Sequence, residues 1–246
     1  YSNSAWTQLG ADIDGEAASN YSGQSVSLSS DGTIVAIGAT GNDDNGADAG
    51  HVRVYQYSNS VWTKLGDDID GEAWNDYSGW SVSLSSDGTI VAIGAYQNQG
   101  TALSAGHVRV YQYSNSAWTQ LGGDIDGEAE SDNSGQSVSL SDDGSIVAIG
   151  APYNDGNTAR WAGHVRVYQY DATKTSAVTD QSSTTFGPAG WNRLGEDIDG
   201  EARDDNSGMS VSLSSDGTIV AIGAPGNDGT DNSAGHVRVY QYSNSA

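Results

Sequence analysis

The nine-residue string AGHVRVYQY stands at 49–57, 105–113, 162–170 and 234–242 of a 246-residue chain. It closes a longer unit that occurs four times. Each unit reads W-x-x-L-G-x-D-I-D-G-E-A, then S-G-x-S-V-S-L-S, then D-G-[TS]-I-V-A-I-G-A, a variable loop and A-G-H-V-R-V-Y-Q-Y. A chain made of near-identical units folds each unit alike and buries the apolar face of one against the next, so the repeat constrains the architecture more than any other feature. The units begin at Trp6, Trp62, Trp118 and Trp191. The third interval is lengthened chiefly by the Ser/Thr-rich segment at 171–190.

Four strands are predicted in each unit. SVSLS alternates small polar and apolar residues, as a half-buried strand does. SSDG supplies a hairpin turn in which Gly32 is free to take positive φ. TIVAIGA is β-branched and nearly all apolar, the pattern of a strand covered on both faces. GHVRVYQY alternates again, and WTQLG, running into ADIDGE, is the fourth strand. Abundant glycine (33 residues) suits short strands and tight turns. Four short strands per unit, at a period near 50, define the blades of a β-propeller. The expected fold class is therefore all-β, a single propeller of four four-stranded blades over residues 1–246.

In its strand, Asp-Gly turn and strand core, SVSLSSDGTIVAIGA followed by GHVRVYQY resembles a WD-type blade. In SGxSVSLS, VAIGAP (with Pro152 and Pro225) and the glycine before the third strand it is similar to the FG-GAP blades of integrin α-subunits. Calcium-binding FG-GAP blades carry an Asp-rich first hairpin. Here that hairpin is short, so the family's calcium site does not transfer to Asp31, Asp87, Asp143 or Asp216.

The opening YSNSA recurs at 242–246, as if the ring had been cut just before a fourth strand. The first expectation is that the strand near Ala5–Gly10 pairs with the last HVRVYQY and closes a four-bladed ring, hiding its edges. The alternatives are entry of that strand into a neighbouring molecule, and excision from a longer ring. The chain begins at Tyr1 with Met209 as its sole methionine, which reads as a processed or excerpted protein.

A formal charge of −23, from 9 basic and 32 acidic side chains, excludes nucleic acid and anionic membrane surfaces as partners. With no cysteine there is no disulfide framework and no thiolate chemistry. No apolar run is long enough to span a membrane as a helix. The composition favours an extracellular or cell-surface setting.

Each third strand carries one His and one Arg: His51/Arg53, His107/Arg109, His164/Arg166 and His236/Arg238. Four like copies argue against catalysis, which needs asymmetric partners. A buried Arg needs an acidic partner, so the pairs are expected to tie blades to DIDGE segments. Those segments supply Asp12, Asp14 and Glu16; Asp68, Asp70 and Glu72; Asp124, Asp126 and Glu128; and Asp197, Asp199 and Glu201. Each triplet is a candidate oxygen-rich calcium site, with pairing to arginine as the competing reading.

A second acidic loop, Asn42-Asp43 and its equivalents, is replaced by QNQG in the second unit and is expected to form Asx turns. The blade-specific Trp74, Trp80, Trp161, Arg160, Arg193, Arg203 and Met209 are candidates for partner or glycan contact. Asn20, in the sequon NYS, is a candidate glycosylation site. The 171–190 insert is expected to be a mobile loop. The first functional expectation is a non-enzymatic structural or adhesive extracellular module forming a homo-oligomer or filament or binding other extracellular proteins. The second is a carbohydrate- or calcium-dependent ligand-binding propeller.

Overall fold

In every unit the IVAIGA run becomes the middle strand of an antiparallel sheet, and in the first three it is almost wholly buried. The computed structural model describes residues 4–156 and 159–243. The first sheet comprises β1 (Ser22–Leu28), β2 (Ile34–Ala39), β3 (His51–Ser58), β4 (Val61–Lys64) and β5 (Ile69–Asp70). The second comprises β6 (Ser81–Leu84), β7 (Ile90–Ala95), β8 (His107–Ser114), β9 (Ala117–Gln120) and β10 (Ile125–Asp126). The third comprises β11 (Ser137–Leu140), β12 (Ile146–Ala151), β13 (His164–Tyr170), β14 (Trp191–Arg193) and β15 (Ile198–Asp199). The fourth has three strands, β16 (Ser210–Leu213), β17 (Ile219–Ala224) and β18 (His236–Gln241).

The hairpin between first and second strands is built as the SSDG signature predicts. The Asp31 carboxylate accepts from the Thr33 amide at 2.9 Å and from the Ser29 hydroxyl at 2.7 Å, and Gly32 takes φ +71°. These bonds hold the Asp31 carboxyl below its ordinary range, the Thr33 amide contributing most.

The four sheets are successive propeller blades. Strand β1 packs beside β6, β6 beside β11 and β11 beside β16. The Ser25 hydroxyl donates to the Gly79 carbonyl, Ser81 to Gly135 and Ser137 to Gly208, so one serine per blade reaches the next. The glycine of IVAIGA permits that approach. A Cβ on Gly38, Gly94 or Gly150 would lie 2.0, 2.1 or 2.0 Å from the carbonyl oxygen of Gly79, Gly135 or Gly208. The core lies between blades. Val52 and Val54 of the first blade meet Leu84, Val91 and Ile93 of the second, and Val165 and Val167 meet Val220 and Ile222 at the last junction.

Two features depart from expectation. The fourth strand is divided: after β4 the chain turns through Gly66, at φ +69°, and returns to the same edge of β3 as β5. The DIDGE segment thereby opens on a strand rather than a loop. At the chain ends, residues 6–9 form no strand and β18 ends its sheet, so the expected closing pairing is not among those formed by the described residues. The repeated YSNSA ends fall largely on 1–3 and 244–246, outside the described residues.

Candidate functional site

The third strands and the DIDGE segments meet along one rim. Each Arg reaches the DIDGE segment that opens its own unit: Arg53 donates to the Asp14 carbonyl at 2.8 Å and lies 3.3 Å from Glu16. Arg109 does the same with the Asp70 carbonyl and Glu72, at 2.9 and 3.4 Å. Arg238 does so with the Asp199 carbonyl and Glu201, at 2.6 and 3.6 Å. The third copy differs. Arg166 is a fork on Asp197, at 2.9 and 3.1 Å, and is ion-paired with Glu128.

The three carboxylates of one DIDGE segment do not form a common site. Because the fifth short strand pairs with its own blade while the glutamate faces the next, each cluster takes Glu from one unit and Asp from the following one. The groups so assembled are Glu16, Asp44, His51 and Asp68; Glu72, His107 and Asp124; and Glu128, His164 and Asp197, with donor atoms of each group within 4.8 Å of one another. These acidic/His clusters have the donors and spacing to hold a metal ion.

They are not equivalent in charge. In the first, the Lys64 ammonium sits 2.7 Å from Asp68; in the third, the Arg193 guanidinium sits 2.7 Å from Asp197. In the second, the neutral Gln120 amide donates to Asp124 at 2.7 Å. The middle cluster therefore gathers Glu72, Asp124 and Asp126 around one arginine. Burial first, then the charges of Asp124 and Glu72, push the Asp126 carboxyl up to about 6. His107, 1 % exposed, is depressed to about 4 by burial and by Arg109, so it is neutral at pH 7. Its Nδ1 has no hydrogen-bond partner and lies 3.9 Å from Glu72 and 4.0 Å from Asp126. A buried, unprotonated nitrogen beside carboxylates that outnumber their single arginine is a donor set that suits a divalent cation.

Asp124 and Asp126, though not Glu72 or His107, also line a pocket of about 350 Å³ between the second and third blades, together with Glu128, Arg166 and, from the other side, Val178, Phe186 and Pro188. The last three belong to the insert. It is a structured flap: Val178 and Gly187 form a bridge, the Lys174 ammonium donates to the Thr185 and Trp191 carbonyls at 2.5 Å each, and the Gly123 amide donates to Ala189 at 2.8 Å. Among the described residues this is the one junction so covered. Lipophilic flap residues opposite carboxylates give the mixed lining of a small-molecule site.

The other candidates lie elsewhere. Trp74 is 60 % exposed, Trp80 packs on Tyr96 at 4.5 Å, and Trp161 lies under Arg160 with 3.9 Å from guanidinium to ring centre. Arg203 pairs with Asp204 on the surface. None of them lines the pocket. Asn20 is 6 % exposed, so the expected glycan acceptor is shut off from solvent. The Asx turns form, with Asn98 of QNQG accepting from Gly100 at 2.8 Å and donating to Asp76 at 2.9 Å. The shared element is thus the buried asparagine, which the second unit keeps, and not the aspartate after it.

No protein family model matches this chain, and no curated protein does. Solved structures do. It is similar to a protein described as a 6-phosphogluconolactonase from Bacteroides uniformis (10 % identity, 88 % of this chain, 49 % of that one, TM-score 0.55). It is similar also to the periplasmic gluconolactonase of Pseudomonas aeruginosa (12 %, 90 % and 58 %, TM-score 0.50) and to the hydrazine synthase of Kuenenia stuttgartiensis (13 %, 88 % and 57 %, TM-score 0.51). The class is thereby a β-propeller; at such identities the likeness establishes the fold alone. The chain spans about half the length of the structures it matches. The adhesive or lectin-like module expected from the sequence is corrected here, since the three structures just named bear the names of enzymes, two of them lactonases.

Proposed function

We propose that the chain forms the catalytic part of a metal-assisted lactone hydrolase working in the pocket between the second and third blades. The observation that carries the reading is the convergence of Asp124, Asp126 and Glu128 under the insert, beside the unpaired Nδ1 of His107. Glu72, His107 and Asp124 are the ligands. An imidazole among them suits manganese or zinc better than calcium, which prefers oxygen throughout. A bound cation would polarise the ester carbonyl. Asp126, on the pocket wall, takes a proton from the attacking water, and returns it to the ring oxygen as that carbon–oxygen bond breaks, leaving a hydroxy acid.

A pocket of about 350 Å³ admits a single sugar ring. The net charge of −23 disfavours a phosphorylated lactone and favours a neutral one. The printed description of the Pseudomonas protein as periplasmic, and the composition, support an exported setting.

The test is hydrolysis of glucono-1,5-lactone by the protein with manganese or zinc and after chelation. Asp126→Asn is expected to lower the rate on the order of 100-fold, within the usual range for loss of a general base. Ring opening no faster than in buffer with either cation would remove the proposal.

A further inference from the structure

The first rim cluster acquires a carboxylate that the other blades lack. After β2 the Asn42 side chain caps a turn, accepting from the Asp44 amide at 3.0 Å. In the other units a glycine stands in that place, and the Gly100, Gly156 and Gly229 amides donate to Asn98, Asn154 and Asn227 at 2.8, 2.6 and 2.9 Å. The turn therefore needs no side chain at position 44. A second exchange aims the one that is there. Asn98, Asn154 and Asn227 donate their side-chain amides to Asp76, Asp132 and Asp205. The first unit holds Asn20 at the corresponding position, and the Asn42 amide donates instead to the Asp44 carboxylate at 3.2 Å. The Asn45 amide donates to the Gly71 and Glu72 carbonyls at 2.8 and 3.2 Å, which pins this loop over the segment that carries Asp68 and Asp70.

Asp44 thereby joins Glu16, His51 and Asp68, with one donor atom of each within 4.8 Å of the others. Metal–ligand bonds of about 2.1 to 2.5 Å place opposite donors roughly 4 to 5 Å apart, so the group already has the span of a coordination sphere. Two observations independent of the acidic count point to an ion. His51, which opens β3, is 1 % exposed, and its Nδ1 has no hydrogen-bond partner. The register sets Asp70 of β5 opposite it, and Asp70 Oδ1, 4.0 Å away, is likewise buried without a partner. Two unsatisfied polar atoms at one buried point are costly unless a ligand meets both.

The charges agree. Lys64 offsets Asp68, and Arg53 lies 3.3 Å from Glu16. Against these two cations stand four carboxylates, on Glu16, Asp44, Asp68 and Asp70. The extra aspartate thus restores the excess of two negative charges that the middle cluster reaches by having Gln120 in place of a lysine. We infer that the first cluster is a second cation site, with Glu16, Asp44, His51, Asp68 and Asp70 as ligands and manganese as the ion. Four carboxylates and a single imidazole suit manganese, whereas structural zinc takes four ligands and calcium takes oxygen throughout. The ligands come from the segment before β1, the loop after β2, β3, and the turn into β5 with β5 itself, so the ion ties together parts of the blade distant in the chain. The insert covers a different junction, and this ion is structural, separate from the proposed hydrolysis.

The test is titration of the chelator-treated protein with manganese, followed by the paramagnetic resonance signal of the free ion. The wild type is expected to bind two ions. Asp44→Gly introduces the residue type found at this turn in the other units, so the blade folds, and circular dichroism checks this. It should weaken one site on the order of 100-fold and leave the other unchanged. Lys64→Gln removes a competing ammonium and should tighten that same site about tenfold. Manganese should also raise the melting temperature of the wild type more than that of Asp44→Gly. Asp44→Gly binding like the wild type, or Lys64→Gln leaving both affinities unchanged, would overturn the inference. Glu72→Gln separates it from the catalytic reading. A single ion lost in Asp44→Gly but kept in Glu72→Gln would uphold this site and remove the middle one, and the reverse pattern would overturn this site alone.

Discussion

A single neutral side chain separates the middle rim cluster from its neighbours. Lys64 and Arg193 offset Asp68 and Asp197, while Gln120 leaves Asp124 uncompensated. Gln120→Lys is therefore expected to weaken manganese binding by about tenfold or more, while raising the melting temperature of the metal-free protein. Titration calorimetry and a thermal melt read the two effects, and unchanged affinity would show that the cation sits elsewhere. The third cluster gives a pH prediction. Burial, with Arg166 adding to it, depresses His164 to about 3, and Asp197, Asp199, Glu128 and Arg193 face the same ring. The unfolded chain binds that proton near pH 6.5 and the folded one does not. The stabilising contribution is thus fully present above pH 6.5 and is lost as pH falls toward 3, amounting to a few kcal/mol over the window. Denaturant melts between pH 7 and 4 should show this slope in the wild type and a shallower one in His164→Asn. The Gln/Lys/Arg difference was visible in the aligned units. Its meaning was not, because each cluster combines residues from two units, and nothing in a linear repeat says which glutamate meets which aspartate.

The hairpins and the buried middle strand of each blade followed from alternation, Asp-Gly turns and β-branched runs, all of them local. The division of the fourth strand did not. WTQLG and DIDGE read as one run into a loop, but after Gly66 the chain returns to β3, because its edge still offers unpaired groups at His51 and Val52. Packing between blades rests on glycine more than on any large residue. In Gly150→Ala a methyl group would stand 2.0 Å from the Gly208 carbonyl oxygen, backbone that cannot yield without parting two blades. The expected loss is about 3 kcal/mol or more. Ser137→Ala removes the adjacent 2.8 Å hydrogen bond and should cost about 1 kcal/mol. Chemical denaturation separates the two, and equal effects would mean that the junction is looser than its geometry.

At the scale of the whole molecule the insert breaks the fourfold pattern. Residues 171–190, expected to be a mobile loop, fold over one junction and turn a groove into a pocket. Replacing the insert with a short SNS-type turn like that joining β3 to β4 should leave the blades folded, since those strands pair without it elsewhere. It should abolish lactone hydrolysis while sparing cation binding by Glu72, His107 and Asp124. Loss of both would place the insert in the metal site itself. Repetition alone determined the four blades, the order of the first three strands in each and the polar or apolar character of each face, because each property depends on residues close in the chain. Only the tertiary structure decided which carboxylates share a site, which blade junction carries a pocket, and that the two ends stay apart. Those outcomes depend on the angle between successive blades and on one added flap, and neither is encoded in a pattern that every unit shares.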